Sequence, residues 1–148
     1  MRFVSDSPVK TKRLGMLLAE EVLKDRSSDS VVIALRGNLG AGKTTFIQGL
    51  ARGLGLKHKI TSPTFVIFRH YRFKDKSGGH LFHVDAYRIK NISELRPLNF
   101  REILSVPKSV VIIEWPENIK KALPKKTHWL KFRHGRKENE RIIEMNTR

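Results

Sequence analysis

Apolar positions along the chain follow two rhythms, a helical one near 3.6 residues and short unbroken β-branched runs, and their alternation predicts an α/β protein. Residues 8–25 (PVKTKRLGMLLAEEVLKD) place Val9, Leu14, Leu17, Leu18 and Val22 at helical spacing, behind Ser7 as a cap and Pro8 in the first turn. The polar stretch SSDS at 27–30 ends that helix, and VVIAL at 31–35 reads as a strand buried on both faces. A glycine-rich turn follows. Beyond it, a helix over 44–54 sets Phe46, Ile47, Leu50, Ala51 and Leu54 on one side.

Further along, the β-prone run 64–73 (TFVIFRHYRF), the turn chemistry of 75–79 (DKSGG) and the run 80–85 (HLFHVD) together predict a β-hairpin. Residues 92–104 (ISELRPLNFREIL) have helical spacing broken by Pro97, which predicts a kink or two short helices. SVVIIEW at 109–115 is a second fully apolar strand that ends in an acid. A short helix over 116–123 and strands over 127–133 (THWLKFR) and 141–145 (RIIEM) complete the chain, with no internal repeat and no linker.

Composition narrows the class. A chain of 148 residues with 39% hydrophobic residues, 10 Gly and 6 Pro is a single folded domain spanning 1–148 rather than a collagen-like or disordered segment. Cysteine is absent, which removes disulfides, thiolate metal sites and cysteine nucleophiles. The first ten residues, MRFVSDSPVK, lack the apolar core of a signal peptide, and no run approaches ~18 apolar residues, so no membrane association and a cytoplasmic setting are expected. Charge is the outlier, with Lys+Arg 30 against Asp+Glu 14 and a net charge of +16. The excess thickens after residue 118, in Lys120, Lys121, Lys125, Lys126, Lys131 and Arg133 among others. It suits either a solvated basic face or a nucleic-acid contact surface.

The segment 37–44, Gly37-Asn38-Leu39-Gly40-Ala41-Gly42-Lys43-Thr44, matches G-x-x-x-x-G-K-[ST] and lies between a predicted strand and a predicted helix, the context a phosphate-binding loop requires. Its glycines let backbone N–H groups from Asn38 to Thr45 curl around phosphate oxygens, and the helix that starts there adds its dipole. Lys43 reaches the β and γ oxygens, and the Thr44 hydroxyl is left for Mg²⁺. A nucleotide and Mg²⁺ are the expected ligands. Strand, loop and helix in this order open an α/β, P-loop NTPase-like fold, with the hairpin and short C-terminal strands added to it.

Such a site needs an acid at the end of a neighbouring strand. Glu114, after VVII, is the candidate for the metal, and Asp85 at the end of the other strand serves either the attacking water or the metal shell. Ser62-Pro63-Thr64 is a constrained polar turn whose hydroxyl either meets the γ-phosphate or merely starts a strand. Trp115 either packs over the nucleotide or seals the sheet. His80 and His83 are three apart on a strand, which sends their rings to opposite faces and favours two separate histidines over a metal pair.

Four blocks, GNLGAGKTTFIQGLARGLG (37–55), SPTFVIFRHY (62–71), HVDAYRI (83–89) and EWPEN (114–118), coincide in order. Together they resemble the TsaE family, formerly called YjeE, small bacterial P-loop ATPases required for threonylcarbamoyladenosine formation in tRNA. The resemblance implies a mostly parallel central sheet flanked by helices, ATP as the nucleotide, and its hydrolysis in the service of the TsaD and TsaB proteins. It also implies Mg²⁺ on Thr44 and Glu114, Asp85 and Thr64 near the γ-phosphate, and Trp115 supporting the site. The chain departs from the family at Asn38, where an acid is common, and at Arg96, Pro97 and Asn99, where an acidic, Gly-containing helix is usual. Two other readings remain, a P-loop small-molecule kinase, which lacks an Arg-rich lid here, and an RNA-binding module with a vestigial nucleotide site.

Overall fold

The computed structural model describes residues 1–25, 29–57, 59–61, 67–74 and 78–146. The apolar runs pair into one seven-stranded sheet in the order β1-β7-β6-β2-β5-β4-β3. Its strands are β1 (Arg2–Ser5), β2 (Val31–Arg36), β3 (Phe68–Phe73), β4 (Gly79–Asp85), β5 (Ser109–Glu114), β6 (His128–His134) and β7 (Arg141–Asn146). The sheet is mixed rather than mostly parallel. The central pairings β6–β2, β2–β5 and β5–β4 are parallel, whereas β1–β7, β7–β6 and β4–β3 are antiparallel. The expected hairpin is β3–β4. The short strand β1, which the sequence pattern does not announce, closes the far edge by pairing with β7.

Alternation along the central strands builds a core on each face. Ile33, Leu35, Leu81, Val110 and Ile112 pack toward helices α1 (Pro8–Lys24) and α2 (Lys43–Gly53). Val32, Phe82, Val84, Val111 and Ile113 pack toward two 3₁₀ segments, Ile92–Leu98 and Pro116–Ala122, and the single helical turn α3 (Phe100–Ile103). With both faces covered, β2 and β5 need no polar face, which is why they read as continuous apolar runs.

Helix α2 buries the face its periodicity announces, and α1 does so in part, with Leu14, Leu18 and Val22 half-buried against the core. Its fully buried positions are Thr11, Gly15 and Ala19, whereas Val9 and Leu17 are largely exposed. The cause lies in α2: a Cβ on Gly15 would stand 2.3 Å from the Phe46 carbonyl oxygen, so the helices meet backbone to backbone and only small side chains fit between them. Ser7 caps α1 as expected, accepting from the Lys10 N–H at 3.3 Å. The segment 92–104 forms two short helices, the second of the two expected outcomes, rather than one kinked α-helix. Pro97 falls within 3₁₀ geometry, and Asn99 then adopts the left-handed conformation at φ 50°, one of the few residue types that tolerates it, before α3 begins.

Candidate active site

The parallel strands end level with one another. Leu35 of β2 is the register partner of Glu114 on β5, and Glu114 is the partner of Asp85 on β4. Side chains two apart share a face, so His83, Asp85, Ile112 and Glu114 all project to the α2 side of the sheet. Ligands of open α/β sheets gather at this carboxyl edge. A cavity of about 430 Å³ opens there, and the loop between β2 and α2 forms one wall of it.

Two glycines shape that wall. Gly37 stands at φ 149°, where a Cβ would lie 2.6 Å from the Phe132 carbonyl oxygen, and Gly42 caps α2 at φ 100°. A side chain at either position would be strained. Because Gly42 offers no side-chain cap, the first-turn N–H groups of α2 keep their capacity to bind an anion. Leu39, Gly40, Ala41, Gly42, Lys43, Thr44 and Thr45 line the cavity. Asn38 does not, because its carbonyl instead turns inward to accept from Lys43 Nζ at 3.1 Å and from the Ala41 N–H at 3.1 Å.

Lys43 is 5% exposed. Its ammonium also donates to the Gly37 carbonyl and lies 4.7 Å from the centre of the Trp115 ring. Burial pushes its pKa below the ordinary lysine value, and the nearby carboxylates of Glu114, Glu117 and Asp85 partly offset that effect. The cation thus rests on its own loop's carbonyls, which an arriving phosphate would replace with stronger acceptors.

Glu114 is buried at 4% exposure rather than projecting into solvent, and it lines the cavity with Asp85 and Trp115. Asp85 Oδ1 accepts from the Tyr87 N–H at 3.0 Å, and Asn118 Nδ2 donates to the Ala86 carbonyl at 2.9 Å. The first bond closes the turn after β4, and the second ties that turn to the segment after β5. Trp115 takes left-handed geometry at φ 56° and turns its ring between Lys43 and Tyr87, whose ring centre is 5.0 Å away. It therefore borders the cavity while also packing against the second core. Thr64, with Ser62 and Pro63, lies outside the described residues.

Several cavity residues have no local sequence signal. Pro8 and Thr11 come from α1, Asn139 from the approach to β7 and Arg141 from its first position. Arg141 lies along the loop, with its Cγ 3.5 Å from where a Gly42 Cβ would be. His83 is a further omission: its Nε2 is 2.8 Å from Glu114 Oε2, and both side chains are buried. His80 is on the opposite face, stacked on His70 with ring centres 5.1 Å apart, so the two histidines are indeed separate.

The family described as "Threonylcarbamoyl adenosine biosynthesis protein TsaE" matches residues 5–143, nearly the whole fold. The chain belongs to the TsaE family. The TsaE protein of Treponema pallidum is 35% identical over 133 residues, covering 90% of this chain and 91% of its own. That of Streptomyces coelicolor is 43% identical, covering 72% and 67%, and that of Bacillus subtilis is 36% identical, covering 80% and 68%. All three carry the name tRNA threonylcarbamoyladenosine biosynthesis protein TsaE. The crystal structure of Bacillus subtilis YdiB superposes with a TM-score of 0.77 at 27% identity, covering 99% of this chain and 84% of that one. Membership of TsaE sets aside the small-molecule-kinase reading.

Proposed function

We propose that this TsaE protein is a Mg²⁺-dependent ATPase with a P-loop NTPase-like fold, hydrolysing ATP to ADP and phosphate in support of threonylcarbamoyladenosine formation in tRNA. The observation that carries this reading is the convergence of Lys43, Thr44, Asp85, Glu114 and Trp115 on one cavity at the carboxyl edge of the parallel strands. Loop N–H groups and Lys43 take the phosphates. The donor set suits a hard cation, since the Thr44 hydroxyl and the Glu114 carboxylate are both oxygen ligands lining that cavity. Mg²⁺ held there supplies charge neutralisation on the phosphate oxygens. Asp85 accepts a hydrogen bond from the attacking water and orients it.

The partners proposed are TsaD and TsaB, whose complex the hydrolysis resets, in a cytoplasmic setting. No helix among the described residues is long and apolar enough to cross a membrane. ATP turnover of this protein alone, with purified TsaB and TsaD, and with tRNA added, tests the reading. Stimulation by the two proteins is the expected result, and absence of turnover in every mixture would reject it.

One feature favours added contact with tRNA itself. The outer strands β6, β7 and β1 leave one sheet face open, and register aligns Arg36, Lys131, Glu144 and Arg2 across it in a single row. Lys131 and Arg133 are exposed, and Arg36 lies 5.8 Å from the centre of the Trp129 ring. Such a basic, partly aromatic face suits a phosphate backbone.

A further inference from the structure

His83 sits one residue pair behind Asp85 on β4, on the face that carries Glu114. A leucine occupies the equivalent place at 81, and a second apolar residue at 83 would serve packing as well. Instead the chain buries an imidazole completely, with Nε2 2.8 Å from Glu114 Oε2. A carboxylate only accepts, so Nε2 must carry the proton. Nδ1 has no hydrogen-bond partner among the described residues. A proton there would be a buried donor without an acceptor, costlier than a bare lone pair, and this selects a single tautomer.

We infer that His83 is a positioning residue: locked as the Nε2–H tautomer, it holds one oxygen of Glu114 and leaves the other for the divalent cation that accompanies the nucleotide. The inference rests on the reading of Glu114 as a Mg²⁺ ligand. A free glutamate samples many rotamers, and its terminal torsion is broad. The His83 bond fixes that torsion before the cation arrives, so ordering is not charged against binding. Glu114 is also the register partner of Asp85, so the same bond keeps the two acids in fixed relation.

The test compares wild type with His83→Leu, His83→Gln and His83→Asn, measuring ADP binding by calorimetry with Mg²⁺ and with EDTA. The leucine variant should lose about 10- to 100-fold of the affinity gain that Mg²⁺ confers, with EDTA binding unchanged. Glutamine, whose amide nitrogen reaches the Nε2 position, should restore most of that gain, whereas asparagine should not. Nitrogen-15 NMR of the nucleotide-free wild type should show His83 protonated at Nε2 and bare at Nδ1. A proton on Nδ1 overturns the inference, as does a leucine variant with the wild-type Mg²⁺ effect. If the leucine variant fails to fold, equal Mg²⁺ effects in the glutamine and asparagine variants overturn it instead. A wild type whose ADP affinity ignores Mg²⁺ overturns the underlying reading of Glu114, a result distinct from either of these.

Discussion

Replacing Gly49 by alanine sets two known effects against each other. In an isolated helix the change is favourable, by about 1 kcal/mol. In this fold the new Cβ would stand 2.0 Å from the Lys12 carbonyl oxygen, 2.6 Å from the Lys12 carbonyl carbon and 2.7 Å from the Lys12 Cα. All three are backbone atoms, so no rotamer change relieves them, and α1 must withdraw from α2 by roughly 1 Å or more to restore ordinary contact. Overpacking of this kind costs about 1–3 kcal/mol, and rigid backbone on both sides puts it at the upper end. The expected net loss is about 2 kcal/mol, or a melting temperature lower by about 4–8 °C for a chain of this size. Helix α1 also delivers Pro8 and Thr11 to the cavity, so nucleotide affinity should fall in the folded variant. Urea denaturation followed by circular dichroism, with nucleotide titration at low denaturant, reads both effects. Stability equal to or above wild type would show that helix propensity outweighs the α1–α2 contact and would refute the packing argument.

Lys43→Ala should abolish ATP binding or hydrolysis while the circular dichroism spectrum is retained, because the cation's role is toward phosphate; unchanged affinity and turnover would reject the site. Burial lowers the Lys43 pKa in the folded protein, so above that lowered value the unfolded chain holds the proton more tightly and folding gains stability as pH rises toward the ordinary value of 10.5. Wild type should therefore gain on Lys43→Met across that alkaline window in denaturation series; a parallel pair of curves would contradict the shift. Glu114→Ala should weaken Mg²⁺-dependent nucleotide binding as well as turnover, whereas Asp85→Asn should lower kcat far more than ATP affinity, and equal affinity losses would instead make both acids metal ligands. If the open basic face contacts RNA, affinity should fall with salt at a log–log slope of about −0.7 to −0.9 per phosphate neutralised, and Lys131→Ala should make that slope shallower; a flat dependence would leave the face merely solvated.

Much of this protein is legible in local pattern. The loop 37–44 declares its chemistry because phosphate binding needs glycines, a lysine and a hydroxyl in one short segment. Helix α2, β2 and β5 announce themselves because each buries what its own periodicity displays. Glu114 and Asp85 were readable as candidates because each ends an apolar or β-prone run, where a parallel strand delivers its residue to the carboxyl edge.

Other features depend on partners far away in the chain, and local pattern carries no record of them. The most deeply buried stripe of α1 consists of Thr11, Gly15 and Ala19 because the backbone of α2 lies against it, and such small residues add nothing to the hydrophobic periodicity. Strand β1 exists because β7, at the other end of the chain, offers it an edge, pairing Arg2 with Glu144 through to Ser5 with Arg141. The bond from His83 to Glu114 spans 31 residues and arises only when β4 and β5 lie in register, which turns a histidine that looks incidental on its own strand into the neighbour of the central acid. Arg141 and Thr11 reach the cavity by the same route: sheet order and helix packing bring them to the loop, whereas periodicity specifies only the direction in which a side chain leaves its own element.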